Sequence, residues 1–145
     1  MDKGVYALLF SNRPCTLRIG SLGEVRFGGG WHVYVGSARG PGGFARVGRH
    51  RRLSRERDRA PRWHVDHLLV SPFFALRAAV CGPTGKDLEC ALAGALGRGV
   101  VLSFGSGDCS CGGHLFHRRT DPLGEVREAM ASLGLAPVST TLIKG

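Results

Sequence analysis

Four side chains able to bind a phosphate or move a proton lie within the first 50 residues of the chain. Tyr6 ends the tripeptide Gly4-Val5-Tyr6, Tyr34 begins the tripeptide Tyr34-Val35-Gly36, and Arg46 and His50 follow. Each tripeptide lies in a run typical of a strand. Since side chains alternate along a strand, the two tyrosine hydroxyls can share one sheet face. Arg46 and His50 are four residues apart, so both can lie on one face of a helix and address the same phosphate.

This order of residues resembles the GIY-YIG nuclease superfamily, whose small α/β domains hydrolyse phosphodiester bonds. The resemblance implies a catalytic site of Tyr6, Tyr34, Arg46 and His50 with a glutamate, best matched by Glu89. It implies that Glu89 binds one Mg²⁺ or Mn²⁺, because a bound divalent cation stabilises phosphoryl charge and assists the leaving alkoxide. Tyr6, Tyr34 or His50 could each be the general base. A histidine of ordinary pKa, ~6.5, is better matched to neutral pH than a tyrosine near ~10.

The resemblance runs from residue 4 to about residue 90 and has two departures. Residues 11–30 separate the tripeptides more widely than in compact members, which predicts an inserted hairpin. Ser37 stands where many members have a lysine. The whole pattern, including Trp63-His64-Val65-Asp66-His67, is most similar to a small stand-alone branch of the superfamily, largely known as a domain of unknown function.

Structural roles without catalysis also fit these residues. Tyr6 and Tyr34 could be ordinary amphipathic strand residues, and His50 could be solvated in an arginine-rich helix. Glu89 could be a first-turn glutamate favoured by the helix dipole.

A dense arginine run follows the second tripeptide. Residues 46–62 hold eight arginines against Glu56 and Asp58, and the chain carries a net charge of +9. This excess predicts a nucleic-acid groove, although such a run can also be a solvated face. Trp63 could stack on a base or belong to the core. The expected nucleic-acid contacts are Arg49, Arg51, Arg52, Arg55, Arg59, Arg62 and Trp63.

A second group of ligand-type residues lies in the loop 105–114. Cys109, Cys111 and His114 have a Cys-x-Cys-x-x-His spacing that could supply three zinc ligands. The spacing is tighter than the usual Cys-x-x-Cys of structural zinc sites. A packed or substrate-facing loop is therefore the competing interpretation.

Composition indicates an intracellular protein. Five cysteines, an odd number, argue against a secreted disulfide framework. No run approaches the ~20 apolar residues of a membrane span. The N-terminus leads directly into a strand rather than a signal sequence. We expect a cytoplasmic protein without a membrane partner.

The hydrophobic periodicity predicts one domain over residues 1–145 that mixes helices and strands. The expected fold class is α/β, with a mixed, mainly antiparallel central sheet flanked by helices. An N-terminal four-strand antiparallel meander is expected. Strands are predicted at 5–10, 15–20, 24–27, 31–35, 74–80, 100–104 and 138–143, and helices at 44–57, 63–70, 87–96 and 123–133.

The predicted function is a metal-dependent endonuclease acting on DNA, structure-selective or repair-related. The alternative is a non-catalytic module of the same fold that binds DNA or RNA through its arginines. A third hypothesis is a zinc-stabilised interaction protein that uses the cysteine loop. The nuclease needs Tyr6, Tyr34, Arg46 and Glu89 to converge on one cleft, whereas the binding module needs only the arginines.

Overall fold

The computed structural model describes residues 2–105 and 112–141, which contain seven strands and four α-helices. The strands are β1 (Gly4–Asn12), β2 (Cys15–Arg18), β3 (Glu24–Phe27), β4 (Gly30–Ser37), β5 (Phe74–Pro83), β6 (Leu115–Arg118) and β7 (Val138–Thr141). The helices are α1 (Ala45–Glu56), α2 (His64–Leu69), α3 (Glu89–Leu96) and α4 (Leu123–Ser132).

The central sheet is built around β1. Five strands in the order β6-β4-β1-β5-β7 pair antiparallel throughout. Residues 5–10 of β1 are all buried, because both faces of the sheet are covered. A strand buried on both faces reads as a continuous apolar run rather than an alternating one. The expected mixed α/β class, with an antiparallel central sheet flanked by helices, is confirmed.

Alternate residues of β1 pack into two separate hydrophobic clusters. Tyr6 and the even-numbered residues after it pack with α1, α2 and the β2–β3 hairpin. Val5 and the odd-numbered residues after it pack with α3 and α4. The two faces of the sheet therefore carry different helix pairs, and Tyr6 lies on the face with α1 and α2.

The hairpin predicted over residues 11–30 is present, but the expected four-strand meander is wrong. β2 and β3 form their own two-stranded sheet. β1 pairs directly with β4 from Val5↔Ser37 to Asn12↔Gly30. β1 and β4 are longer and more apolar than β2 and β3, so their pairing buries more surface.

The strand predicted at 100–104 is also wrong. Val100 makes one isolated bridge with Phe116, and a turn follows in which the Phe104 N–H donates to the Val101 carbonyl oxygen. The segment pairs with the sheet edge only over residues 99–101, where the Val101 N–H donates to the Leu115 carbonyl oxygen, and Leu102 is 74% exposed. The edge strand is instead β6, which pairs with β4 and was not predicted from the sequence. Its four residues include His117 and Arg118, so the apolar signal is weak.

The four helices lie where the periodicity predicted them, and both ends of α4 show typical end features. The Asp121 carboxylate accepts a hydrogen bond from the Leu123 N–H (3.0 Å), and Gly134 adopts φ +82° after the last turn. Among the described residues, no helix has the length and apolar character needed to cross a membrane.

Candidate functional site

Tyr6 and Tyr34 lie on the same face of the central sheet, on the adjacent strands β1 and β4. In the register of these strands Tyr6 is opposite Gly36 and Leu8 is opposite Tyr34, so both tyrosines occupy same-face positions. Their ring centroids are 6.5 Å apart. The sequence alternation therefore placed the two phenols correctly relative to each other.

His50 lies against Tyr6 from the helix above. The Tyr6 Oη and His50 Nε2 atoms are 2.8 Å apart in a hydrogen bond, and both residues are almost fully buried. Burial lowers the pKa of His50 to about 4, so this imidazole is neutral at pH 7. The interpretation of His50 as a solvated residue is wrong, because α1 packs this side of the helix onto the sheet.

The two phenols are held in their neutral form. Burial raises the pKa of Tyr6, and the negative charge of Glu89 adds to the rise while Arg46 opposes it. Burial, followed by the charge of Glu89, likewise raises the pKa of Tyr34. Neither hydroxyl is therefore an easily ionised base on its own.

Arg46 lies one helical turn before His50 and borders the same site. Its Nη1 donates to the Ser37 carbonyl oxygen (3.0 Å), and its guanidinium carbon lies 5.4 Å from the centroid of the Trp63 ring. Its charge acts on both Tyr6 and Tyr34. The carbonyl and the ring thus hold one positive charge next to the two phenols.

Glu89 is the first residue of α3, a helix that packs on the opposite face of the sheet. Its charge nevertheless acts on both tyrosines, because the start of α3 lies close to the end of β4. An ion pair between Arg39 and Asp87 (3.5 Å) spans the same two segments. The Glu89 carboxylate therefore lies near enough to Tyr6 and Tyr34 for its charge to raise the pKa of both.

The carboxylate of Asp66 also lies near the site, although the sequence did not indicate a role for it there. Asp66 is buried on α2, and its Oδ2 accepts hydrogen bonds from the backbone N–H groups of Arg62 (2.9 Å) and Trp63 (3.1 Å). Its charge also acts on His50 and Tyr34. An acidic residue at the third position of a helix often accepts a hydrogen bond from a backbone N–H group at the start of that helix. The position of Asp66 in α2 was therefore the sequence signal that could have indicated this role.

The arginines of the run are mostly exposed, and several of them line one pocket. This arginine pocket has a volume of about 250 Å³. Trp63 forms part of the pocket wall and is 53% exposed. The interpretation of Trp63 as a core residue is therefore wrong. Among the predicted nucleic-acid contacts, those lining the pocket are Arg49, Arg52, Arg59, Arg62 and Trp63; Arg51 and Arg55 are exposed on α1 outside it.

A family model described as "Domain of unknown function DUF123" matches residues 5–135. The chain belongs to this family. The matched range includes all five predicted catalytic residues and the arginine pocket. No curated protein and no solved structure shows a significant similarity to the chain.

The predicted zinc ligands Cys109 and Cys111 lie outside the described residues. His114 is described: it is buried, burial lowers its pKa, and its Nδ1 lies 3.7 Å from the Glu89 Oε2. Cys90 is exposed and disulfide-bonded. Within residues 2–105 and 112–141 there is no cluster of three or more His, Cys, Asp and Glu able to hold a metal ion. Zinc binding by the loop stays a prediction.

Proposed function

We propose that this protein is a metal-dependent endonuclease of the GIY-YIG type that hydrolyses DNA phosphodiester bonds. The observation that carries the proposal is the meeting of Tyr6, Tyr34, Arg46, His50 and Glu89 at one site, although they come from four different elements. Two phenols, a guanidinium, a neutral imidazole and a carboxylate supply what phosphodiester hydrolysis requires. These requirements are a proton acceptor, stabilisation of phosphoryl charge, and assistance to the leaving oxygen.

Proton transfer is assigned to the Tyr6–His50 pair. Because the pKa of Tyr6 is raised, its hydroxyl can take a proton from water only if it releases its own. The Nε2 atom of His50, 2.8 Å away and neutral at pH 7, is placed to receive that proton. The attacking water therefore loses its proton to Tyr6 while Tyr6 passes one to His50.

Charge stabilisation is assigned to Arg46. A guanidinium stays positive at every working pH and matches two phosphoryl oxygens at once. Its bond to the Ser37 carbonyl fixes its direction before the substrate binds. A preorganised contact of this kind lowers a reaction barrier by roughly 3 to 4 kcal/mol. Tyr34, on the same face, can donate its hydroxyl to a non-bridging phosphoryl oxygen.

Glu89 would hold the metal ion. Mg²⁺ usually keeps several waters and binds through one or two carboxylates together with substrate phosphates, so a single partly exposed carboxylate beside a phosphate site suits it. When bound, Mg²⁺ or Mn²⁺ supplies charge neutralisation at the phosphate and at the leaving oxygen. The His114 Nδ1 atom lies 3.7 Å from the Glu89 Oε2 atom at this position.

The experiment is a cleavage assay with the purified chain. Flap, abasic, single-stranded and duplex DNAs are incubated with Mg²⁺ or Mn²⁺, and Glu89→Gln serves as the matched control. Nicking of at least one DNA by the wild type, and none by Glu89→Gln, supports the nuclease. Tight binding to DNA or RNA without cleavage in either metal would favour the alternative, a nucleic-acid-binding module that uses the exposed arginines of α1.

A further inference from the structure

The arginine pocket lies immediately beside the candidate catalytic residues. Arg46 and His50 belong to both, since they line the pocket and also contact Ser37 and Tyr6, respectively. A group bound in the pocket would therefore be adjacent to a phosphate bound at Arg46. Because the pocket and the candidate catalytic site share these residues, the pocket can hold only a part of the substrate that lies next to the bound phosphate.

The pocket has a flat aromatic wall that is held in place. Trp63 exposes 53% of its surface although it directly precedes α2. Its backbone N–H donates to the Asp66 carboxylate. The Arg46 guanidinium carbon lies over the ring, 5.4 Å from its centroid, and the His50 ring is arranged edge-to-face with it, with the two centroids 6.4 Å apart. An exposed indole held by a buried carboxylate and two neighbours is a preorganised stacking surface.

The remainder of the pocket is positively charged. Arg46, Arg49, Arg59 and Arg62 line it. Of the two acidic residues in its wall, Asp66 already accepts two backbone N–H groups. A ligand with a planar ring and neighbouring negative charges matches both parts of the pocket, and nucleotides have this combination.

We propose that the arginine pocket holds one unpaired nucleobase of a DNA strand, stacked on Trp63, next to the phosphate bound by Arg46. This inference rests on the proposed function and narrows its substrate. A base inside an intact duplex has both faces covered by its neighbours and cannot reach Trp63 without leaving the stack. The favoured substrate is therefore DNA with unpaired nucleotides beside the cleaved bond, as at a junction between single and double strands.

The experiment compares two DNAs of the same duplex sequence, one blunt and one with a short single-stranded tail. Binding is measured in chelator, so that no cleavage occurs. Trp63→Ala should weaken binding of the tailed DNA about tenfold and change blunt-duplex binding less than about twofold, because stacking acts only on the unpaired base. Trp63→Phe, which keeps an aromatic face, should retain most of the affinity. An equal loss on both DNAs, or no loss on either, would overturn the proposal.

Fluorescence provides a second measurement that does not depend on the stability of Trp63→Ala. In a Trp31→Phe chain, Trp63 is the single remaining tryptophan. The tailed DNA should quench its emission and the blunt DNA should not. Equal quenching by the two DNAs contradicts stacking. If the tailed DNA quenches the emission but the protein cleaves no DNA with Mg²⁺ or Mn²⁺, base stacking on Trp63 is supported and the nuclease proposal is overturned. The failure of one proposal can therefore be distinguished from the failure of the other.

Discussion

Gly36 lies directly beneath the ring of Tyr6. The two residues are opposite each other in the β1–β4 register, and a Cβ atom added to Gly36 would lie 2.3 Å from Cζ of Tyr6. Cβ atoms in proteins essentially never come so close to an atom to which they are not bonded. The glycine of the second tripeptide is therefore needed for the placement of the tyrosine of the first.

Gly36→Ala should displace Tyr6 and lower the cleavage rate. The ring must move away from the new methyl group, and Tyr6 is 1% exposed, so its movement breaks the hydrogen bond to His50. Overpacking of this kind also costs roughly 1 to 3 kcal/mol of stability. Thermal unfolding and single-turnover cleavage measure the two effects. Gly48→Ala, where an added Cβ meets no atom within 4 Å, is the matched control and should leave the cleavage rate unchanged.

Glu89→Gln should abolish cleavage while DNA binding persists. The substitution removes the carboxylate proposed to hold the metal but leaves the shape of the site and the arginine pocket intact. Binding in chelator and cleavage in Mg²⁺ are measured on the same preparation. Glu128→Gln, on α4 across the sheet, is the control and should cleave normally. Wild-type cleavage rates in Glu89→Gln would contradict the assignment of Glu89.

Tyr6→Phe should slow cleavage by roughly 10² to 10⁴-fold, the usual contribution of positioned proton transfer. The ring stays, so the packing of Gly36 is preserved, but the hydroxyl that bonds to His50 is lost. The buried imidazole then lacks this partner, which costs about 1 to 3 kcal/mol in the free energy of unfolding. A Tyr6→Phe enzyme as fast as the wild type would show that Tyr6 is structural.

The stability of the protein should fall as the pH falls from about 6.5 to about 4, partly because of His50. Its pKa is lowered in the folded state, so the unfolded chain binds the extra proton first. The stability from a neutral His50 is therefore complete above the unfolded pKa and is lost as the pH falls toward the folded one. The shift, from 6.5 to about 4, corresponds to about 3 kcal/mol.

His50→Gln removes this titration, so its stability should depend less steeply on pH than that of the wild type over the same window. The free energy of unfolding of each protein is measured with denaturant at several pH values, and the curve for His50→Gln is subtracted from that for the wild type. Burial also lowers the pKa of His32. Because His32 is present in both proteins, its contribution to the pH dependence cancels in the difference. Parallel curves for the two proteins would show that His50 carries no such linkage.

The exposed arginines should act on DNA binding and Arg46 on the chemical step. Replacing Arg55 and Arg59 with alanine should make the log–log salt dependence of duplex binding shallower by roughly one to two units, because each neutralises at most one phosphate. Arg46→Ala should depress the cleavage rate far more than affinity. Arg127→Ala, on α4 across the sheet, is the control and should leave the salt slope unchanged. Equal effects of Arg46 and Arg55 on binding alone, without cleavage, would favour the binding module.

The sequence determined the parts of the site that depend on local periodicity. The alternation of strands placed Tyr6 and Tyr34 on one face, and the four-residue spacing placed Arg46 and His50 on one side of α1. Both patterns follow from backbone geometry over a few residues. Helix positions and the inserted hairpin were predictable for the same reason.

Other features of the site depend on contacts between segments far apart in the chain, and these were not predictable from the sequence. Glu89 reaches the tyrosines although the rest of α3 packs on the other face, because the start of α3 lies beside the end of β4. Trp63 is exposed because Asp66 and α2 hold it at the pocket wall, and no local pattern distinguishes it from a core tryptophan. The paired residues of β4 and β6 are more than 80 residues apart in the chain. This pairing depends on which side chains become buried when distant segments meet, and local sequence patterns carry no information about it.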